Sequence, residues 1–243
     1  MIETGARVGY AANGVLHLLI AWIALQIAWG RSASDADQSG ALGALATTPL
    51  GSVLLWVVAI GFGLLGVWQV TEAVVRHDTA ERVKAISKAV VYLVLGWTAV
   101  TFIQGSASSG SDQASGVTAE LMRQPFGRAL VGAVGVAVIG VGVYHVVKGW
   151  RKKFLEDLDE HPGTVVVRLG RFGYIAKGVA LGIVGGLFAA AAATGDPERA
   201  KGLDGALRTL LELPLGKALL TVVALGLAAY GLYSFGRARY ARV

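Results

Sequence analysis

The chain has 243 residues, of which 54% are hydrophobic and only 16% charged, with a formal net charge of +6 at pH 7 and no Cys. That balance is too apolar for an ordinary soluble domain. The absence of Cys excludes disulfides, thiolate metal sites and cysteine nucleophiles, and the basic excess is explained by its distribution along the chain rather than by nucleic-acid binding.

Six apolar runs follow one another: Val8–Trp29, Gly51–Val75, Ala85–Gln104, Phe126–Val147, Phe172–Thr194 and Leu215–Phe235. Each holds about 20 residues or more, about 30 Å of helix, which matches the hydrocarbon core of a bilayer. Their length and lack of strict alternation predict helices, since a barrel strand needs only about 10 residues. The first run is too long for a secretory signal, follows a single basic residue (Arg7) and ends in no small-residue cleavage site, so it is read as a retained helix. The stretch Arg151–Arg171 is read as an extension of the fourth span, a turn and a linker. No segment is long enough for a soluble catalytic domain.

The chain repeats itself three times. Arg7, Arg82 and Arg171 open equivalent segments, and the odd spans end at Gly30, Gly105 and Gly195, 23, 23 and 24 residues later. The even spans open on Pro-x-Gly: Pro49-Leu50-Gly51, Pro125-Phe126-Gly127 and Pro214-Leu215-Gly216. Ten residues before each Pro stand Ser39-Gly40, Ser115-Gly116 and Asp204-Gly205, read as helix N-caps. Apolar residues at helical spacing follow: Leu42, Leu45 and Ala46; Val117, Leu121 and Met122; Leu207, Leu210 and Leu211. They predict a short amphipathic helix in the outer headgroup layer of each copy, the alternative being a structured loop. Each Pro is then expected to begin its span, where its missing N–H is harmless.

The expected fold is therefore an all-α membrane protein, one transmembrane domain over 1–243 with repeats at 1–78, 79–162 and 163–243. Two spans return each copy to its starting side, so the copies are parallel and related by a pseudo-three-fold axis along the membrane normal. Fifteen of the 22 basic residues fall at the termini, in the loops after spans two and four, or just inside spans on that side; seven fall in the other loops. The positive-inside rule places both termini in the cytoplasm. Gly14 and Gly178, with Gly66, Gly142 and Gly231 on the even spans, are expected to pack helices closely.

The opening Arg-x-Gly-Tyr-x-Ala-x-Gly-Val of Arg7–Val15 and Arg171–Val179, with the Pro-x-Gly hinge and six spans, resembles the bacterial family called domain of unknown function 1206. The likeness covers the whole chain, although the second copy has Lys84-Ala85 where the others have Gly-Tyr. It implies three tandem two-helix modules in the bacterial cytoplasmic membrane, and no activity.

Polar residues at depth are the candidates for chemistry. His17, ten residues past Arg7 and so about 15 Å in, is expected near the midplane, aligned with Tyr92. Gln69 and His145 share another position, one turn inside a third set. Together His17, Tyr92, Gln69 and His145 form a possible intramembrane polar site, either buried hydrogen-bonding groups or a proton or ligand site. Asn13, Lys88 and Lys177 share a position about 9 Å in; Glu72, Lys148 and Arg237 return to the inner interface. These six are either snorkelling side chains or a cytoplasmic ring of charge able to hold an anionic headgroup or solute. No metal or cofactor is expected: the four His show no i, i+4 pairing. Gly61-Phe62-Gly63-Leu64-Leu65-Gly66 matches a dinucleotide fingerprint only formally, inside an apolar span. The reading favoured is a scaffold or accessory subunit with no catalytic residues, binding the bilayer, its lipids or another membrane protein. The alternative is a small-solute, ion or lipid transporter or channel, and an intramembrane enzyme built on His17 and Tyr92 ranks below both.

Overall fold

The computed structural model describes residues 2–30, 35–46, 51–75, 78–104, 109–158 and 162–240. In chain order the helices are α1 (Ile2–Ala28), α2 (Gln38–Ala46), α3 (Gly51–Val75), α4 (Thr79–Ile103), α5 (Gly110–Met122), α6 (Gly127–Trp150), α7 (Thr164–Thr194), α8 (Leu203–Glu212) and α9 (Gly216–Tyr240). Two single 3-10 turns, Lys153–Asp157 and Pro197–Arg199, join α6 to α7 and α7 to α8. Among the described residues, five helices are long and apolar enough to cross a membrane, and in α1 the apolar stretch, Asn13–Ala28, is shorter. All six Trp lie on the surface, from 50% exposed at Trp56 to 71% at Trp97. Indole rings in that number on an aqueous surface would be costly, whereas lipid accepts them. This is a membrane-embedded helical protein.

The chain divides into two compact units, residues 42–108 and the remainder. The smaller is a hairpin of α3 and α4. Its seam is built from small residues two turns apart, Ala59, Gly66 and Ala73 on α3 and Ala89 and Gly96 on α4, all buried. A Cβ at Gly66 would lie 2.7 Å from the Leu93 side chain.

In the larger unit α1 packs on α9, α9 on α7 and α7 on α6. Lipid offers helices no hydrophobic reason to associate, so contact depends on close approach and dispersion. Glycine supplies the approach. A Cβ at Gly142 would sit 2.7 Å from the Gly178 carbonyl oxygen, and one at Gly185 2.6 Å from that of Gly135. Gly14 and Gly231 face each other across α1 and α9 in the same way, each 2.9 Å from the other's carbonyl oxygen.

Short helices stand in all three copies, but their starts differ from expectation. Asp37 caps α2, its carboxylate accepting from Gly40 N–H at 2.9 Å. Ser109 caps α5, accepting from Asp112 N–H at 3.0 Å, so Ser115 lies inside the helix and donates back to the Ser111 carbonyl. Asp204 falls in the first turn of α8, whose cap is Gly202. The middle copy also turns its helix: Thr118 is buried while Val117 is 70% exposed. In α8 the expected face does pack inward, with Leu207 and Leu210 buried.

Among the described residues, the Pro-x-Gly prolines Pro125 and Pro214 do not begin their spans either. Phe126 and Leu215 take left-handed backbone (φ 64° and 63°), and the helices start one residue later. A Cβ at Gly127 or Gly216 would collide with the carbonyl of Leu121 or Leu211, so glycine is what lets the short helix fold directly over the span. Pro49 and Leu50 lie outside the described residues. The α6–α7 link differs too. Lys152, at φ 55°, breaks the helix, Phe154 turns into the core, and the helical extension belongs to the start of α7 rather than the end of α6. Both odd spans described to their ends stop on left-handed glycine, Gly30 (φ 70°) and Gly195 (φ 73°); Gly105 lies outside the described residues.

Candidate functional site

An aromatic and charged cluster of the larger unit lies at the end where α6 and α9 finish and α7 begins. Its base is aromatic: Phe154, Tyr174, Tyr230 and Tyr233 are all buried. Phe154 stacks on Tyr174 with centroids 5.4 Å apart and meets Tyr233 edge-on at 5.2 Å, while Tyr174 meets Tyr230 edge-on at 5.3 Å. These are the preferred arrangements of ring quadrupoles. Two glycines make the space. A Cβ at Gly170 would lie 2.6 Å from the Phe154 ring, and one at Gly173 2.5 Å from Tyr230 Cα. Gly173 is the glycine of the repeated Gly-Tyr, which gives that motif a packing reason in the third copy.

Charged groups surround this base. Lys148 Nζ meets Asp157 Oδ2 at 2.7 Å and Arg237 Nη2 approaches the same oxygen at 3.5 Å. The two cations occupy one repeat position, so two copies share one carboxylate. Arg237 also covers the Tyr10 ring, 4.4 Å from its centroid, and its Nε is buried without a hydrogen-bond partner. Lys177 Nζ lies 4.3 Å from the Tyr230 centroid, and among the described residues it has no carboxylate within ion-pair distance. Asn13 Nδ2 donates to Ser234 Oγ at 3.0 Å, joining α1 to α9.

The two histidines of the expected polar site flank the same rings. His17 lies 4.7 Å from Tyr230 and His145 5.8 Å from Tyr174, centroid to centroid. Each Nδ1 contacts a carbonyl of its own helix, Asn13 O at 2.9 Å and Val141 O at 2.8 Å. A carbonyl can only accept, so Nδ1 carries the proton and Nε2 is the acceptor of each neutral ring. Neither His bonds a neighbouring helix through Nδ1, the role expected of a satisfied core histidine.

Of the ten candidate polar positions, the larger unit thus brings together Asn13, His17, His145, Lys148, Lys177 and Arg237. Tyr92, Gln69, Lys88 and Glu72 belong to the hairpin, where Tyr92 stacks on Phe62 at 6.0 Å and Lys88 is exposed. Asp157, Tyr10, Tyr174, Tyr230 and Tyr233 were not among the expected site residues. The repeat carried a partial signal for Tyr233, whose equivalents Trp68 and Tyr144 are 60% and 58% exposed while Tyr233 is fully buried. Asp157 sits in a linker where neither period nor motif marks it.

At the opposite end of the larger unit the starts of the three short helices meet. Gly110 of α5 lies against the Asp37 carboxylate at the start of α2, and a Cβ at Gly202, the cap of α8, would lie 3.5 Å from Gly110 O. Asp204 accepts from Ala36 N–H at 2.7 Å and pairs with Arg208 Nε at 2.7 Å; Arg208 also lies 4.0 Å from Asp35. Asp37 and Asp204 are 6% and 4% exposed. Burial pushes the Asp37 carboxyl up to about 6 and that of Asp35 upward, and hydrogen bonding to Asp204 raises Arg208. Removing Asp204 orphans the buried Ala36 N–H. Asp204→Ala is expected to cost about 1–3 kcal/mol, read as a fall in thermal midpoint in detergent, with exposed Glu198→Ala as the neutral control. A further cavity, about 370 Å³ and largely apolar, opens between α5, α6 and α7, lined by Val117, Leu121, Val131, Val134 and Phe188 among others.

Comparison with known proteins agrees with the repeat. The family model described as Domain of Unknown Function (DUF1206) matches three times, over residues 8–76, 83–152 and 172–241. An uncharacterized protein of Bacillus subtilis (strain 168), YxxB, is 32% identical over 254 residues, covering 98% of this chain and 91% of that one. No solved structure matches. The chain therefore belongs to the family of Domain of Unknown Function DUF1206, with its module present in three tandem copies.

Proposed function

We propose that this protein is a non-catalytic scaffold or accessory subunit of the bacterial cytoplasmic membrane, crossing it six times in three parallel two-helix copies with both termini in the cytoplasm, and that it binds another membrane protein or lipid. The observation that carries the reading is the way the larger unit spends its interior. Glycine seams bring helix backbones to contact, as at Gly142 and Gly178. Several polar side chains at the aromatic end pair with one another, Lys148 and Arg237 on Asp157 and Asn13 on Ser234. The basic side chains Arg151, Lys152, Lys153 and Arg168, all exposed at the aromatic end, support its placement on the cytoplasmic side.

Mild-detergent purification after crosslinking in cells tests the reading. A defined second protein or retained lipid recovered at fixed stoichiometry is expected. Solute flux in vesicles containing only this chain, abolished by His17→Ala with folding intact, would replace the scaffold by a transporter.

A further inference from the structure

We propose that the aromatic end of the larger unit binds a phosphate group, held by Lys177 and attracted by the excess of Lys148, Lys177 and Arg237 over Asp157, the one carboxylate paired there among the described residues. The inference deepens the lipid-binding side of the proposed function by giving the ligand a chemical class.

Two independent observations point to a missing anion. The first is charge: three cations stand around one buried aromatic cluster, Lys148 and Arg237 already share Asp157 Oδ2, and Lys177 lies over the π-surface of Tyr230 with no carboxylate paired to it among the described residues. A cation–π contact weakens the penalty for a cation at the edge of hydrocarbon but supplies no counter-charge. The second is an unanswered donor, since Arg237 Nε is buried with no acceptor. It shows that the shared carboxylate does not saturate the guanidinium.

The surroundings suit an oxyanion. Asn13, through its second amide hydrogen, and Tyr230 can donate, and Asp157 is the only carboxylate paired there among the described residues. Lys177 stands six residues past Arg171, about 9 Å along the helix, and its flexible stem can bring the ammonium towards the phosphate layer of the adjoining leaflet. Phosphate also matches the size of the imbalance. Among the described residues, three cations against one paired carboxylate leave two positive charges, which a phosphodiester halves and a phosphomonoester cancels. The group can belong to an anionic phospholipid or to a free solute.

Thermal unfolding of the purified full chain separates these sources. It is measured in detergent with added phosphatidylglycerol, with phosphatidylcholine, or with inorganic phosphate alone. Phosphatidylglycerol is expected to raise the midpoint by about 5 °C over phosphatidylcholine, with Lys177→Gln losing most of the difference, Lys177→Arg keeping it, and Lys152→Gln at the exposed surface behaving as wild type. An equal rise with inorganic phosphate, also lost in Lys177→Gln, assigns the site to a free phosphate. Equal midpoints in the two lipids with no response to phosphate overturn the proposal, as does a Lys177→Gln protein that responds like wild type. If Lys177→Gln does not fold, the wild-type comparison and Arg237→Gln decide in the same terms. Crosslinking to a protein partner is read separately, so this site can fail while the scaffold reading stands.

Discussion

Gly142→Ala is expected to destabilise the protein by about 1–3 kcal/mol, the cost of forcing volume into a closed contact, while Gly140→Ala two residues away is neutral or stabilising by up to about 1 kcal/mol. Both changes add one methyl to α6, and both gain the same helix propensity, so the difference isolates the seam. At Gly142 the new Cβ meets backbone, the Gly178 carbonyl oxygen at 2.7 Å and Gly182 N at 2.9 Å; at Gly140 it meets nothing within 4 Å. Backbone cannot rotate away as a side chain can, so α6 and α7 must separate. That separation reaches the polar end. His145 lies three residues beyond Gly142 against Tyr174, and Lys148 six residues beyond it on Asp157. Gly178→Ala meets the same contact from the other side, 2.5 Å from Gly142 O, so the double variant should cost less than the sum of the singles, because the first widening relieves the second. Thermal unfolding of the wild type and the four variants in one detergent checks this. Equal midpoints for Gly140→Ala and Gly142→Ala would mean that the seam does not hold the helices.

The elements legible in the sequence were those set by strong periodic signals. Long apolar runs marked the spans because hydrocarbon obliges each segment to satisfy its own peptide groups, and matched offsets from Arg7, Arg82 and Arg171 marked the repeat. Helix starts were less legible. Ser39, Ser115 and Asp204 all have N-cap chemistry, yet Asp37, Ser109 and Gly202 hold the caps. Propensity does not say which of two nearby polar residues caps a helix when tertiary partners compete: Asp204 is taken by Ala36 and Arg208 of its surroundings. In the polar region, repeat alignment found Lys148 and Arg237 as equivalents but could not see that they converge on Asp157, a residue of a linker without period. Equivalence also failed in detail, since Tyr233 is core where Trp68 and Tyr144 face outward. A repeat fixes a position along its own helix and leaves open which neighbour that position meets.

The junction of α2, α5 and α8 should tighten on acidification, and Asp37→Asn should remove most of that dependence. The Asp37 carboxyl stands at about 6 in the folded protein against its ordinary value of 3.8, because burial penalises its charge more than the Gly40 and Ser39 amides favour it. Asp35 and Asp204 beside it add repulsion, while Asp35 itself is lowered by Arg208 from α8 and raised by Asp112 from α5. A carboxyl raised on folding binds its proton more tightly in the native state. Its contribution is therefore most favourable below pH about 4, is lost as pH rises to about 6, and is constant above that. Two pKa units correspond to about 3 kcal/mol. Asp35 shifts in the same direction, so it adds to the slope. Asn caps a helix as well as Asp and carries no charge, so Asp37→Asn should hold at pH 7 the stability that wild type reaches only in acid. Midpoints of the two proteins measured from pH 4.5 to 7.5 should converge at the acid end and separate towards neutrality, with the variant higher. Parallel curves would show that Asp37 is not held protonated by its burial, and a variant less stable at neutral pH would show that its charge is needed by the helix starts it touches.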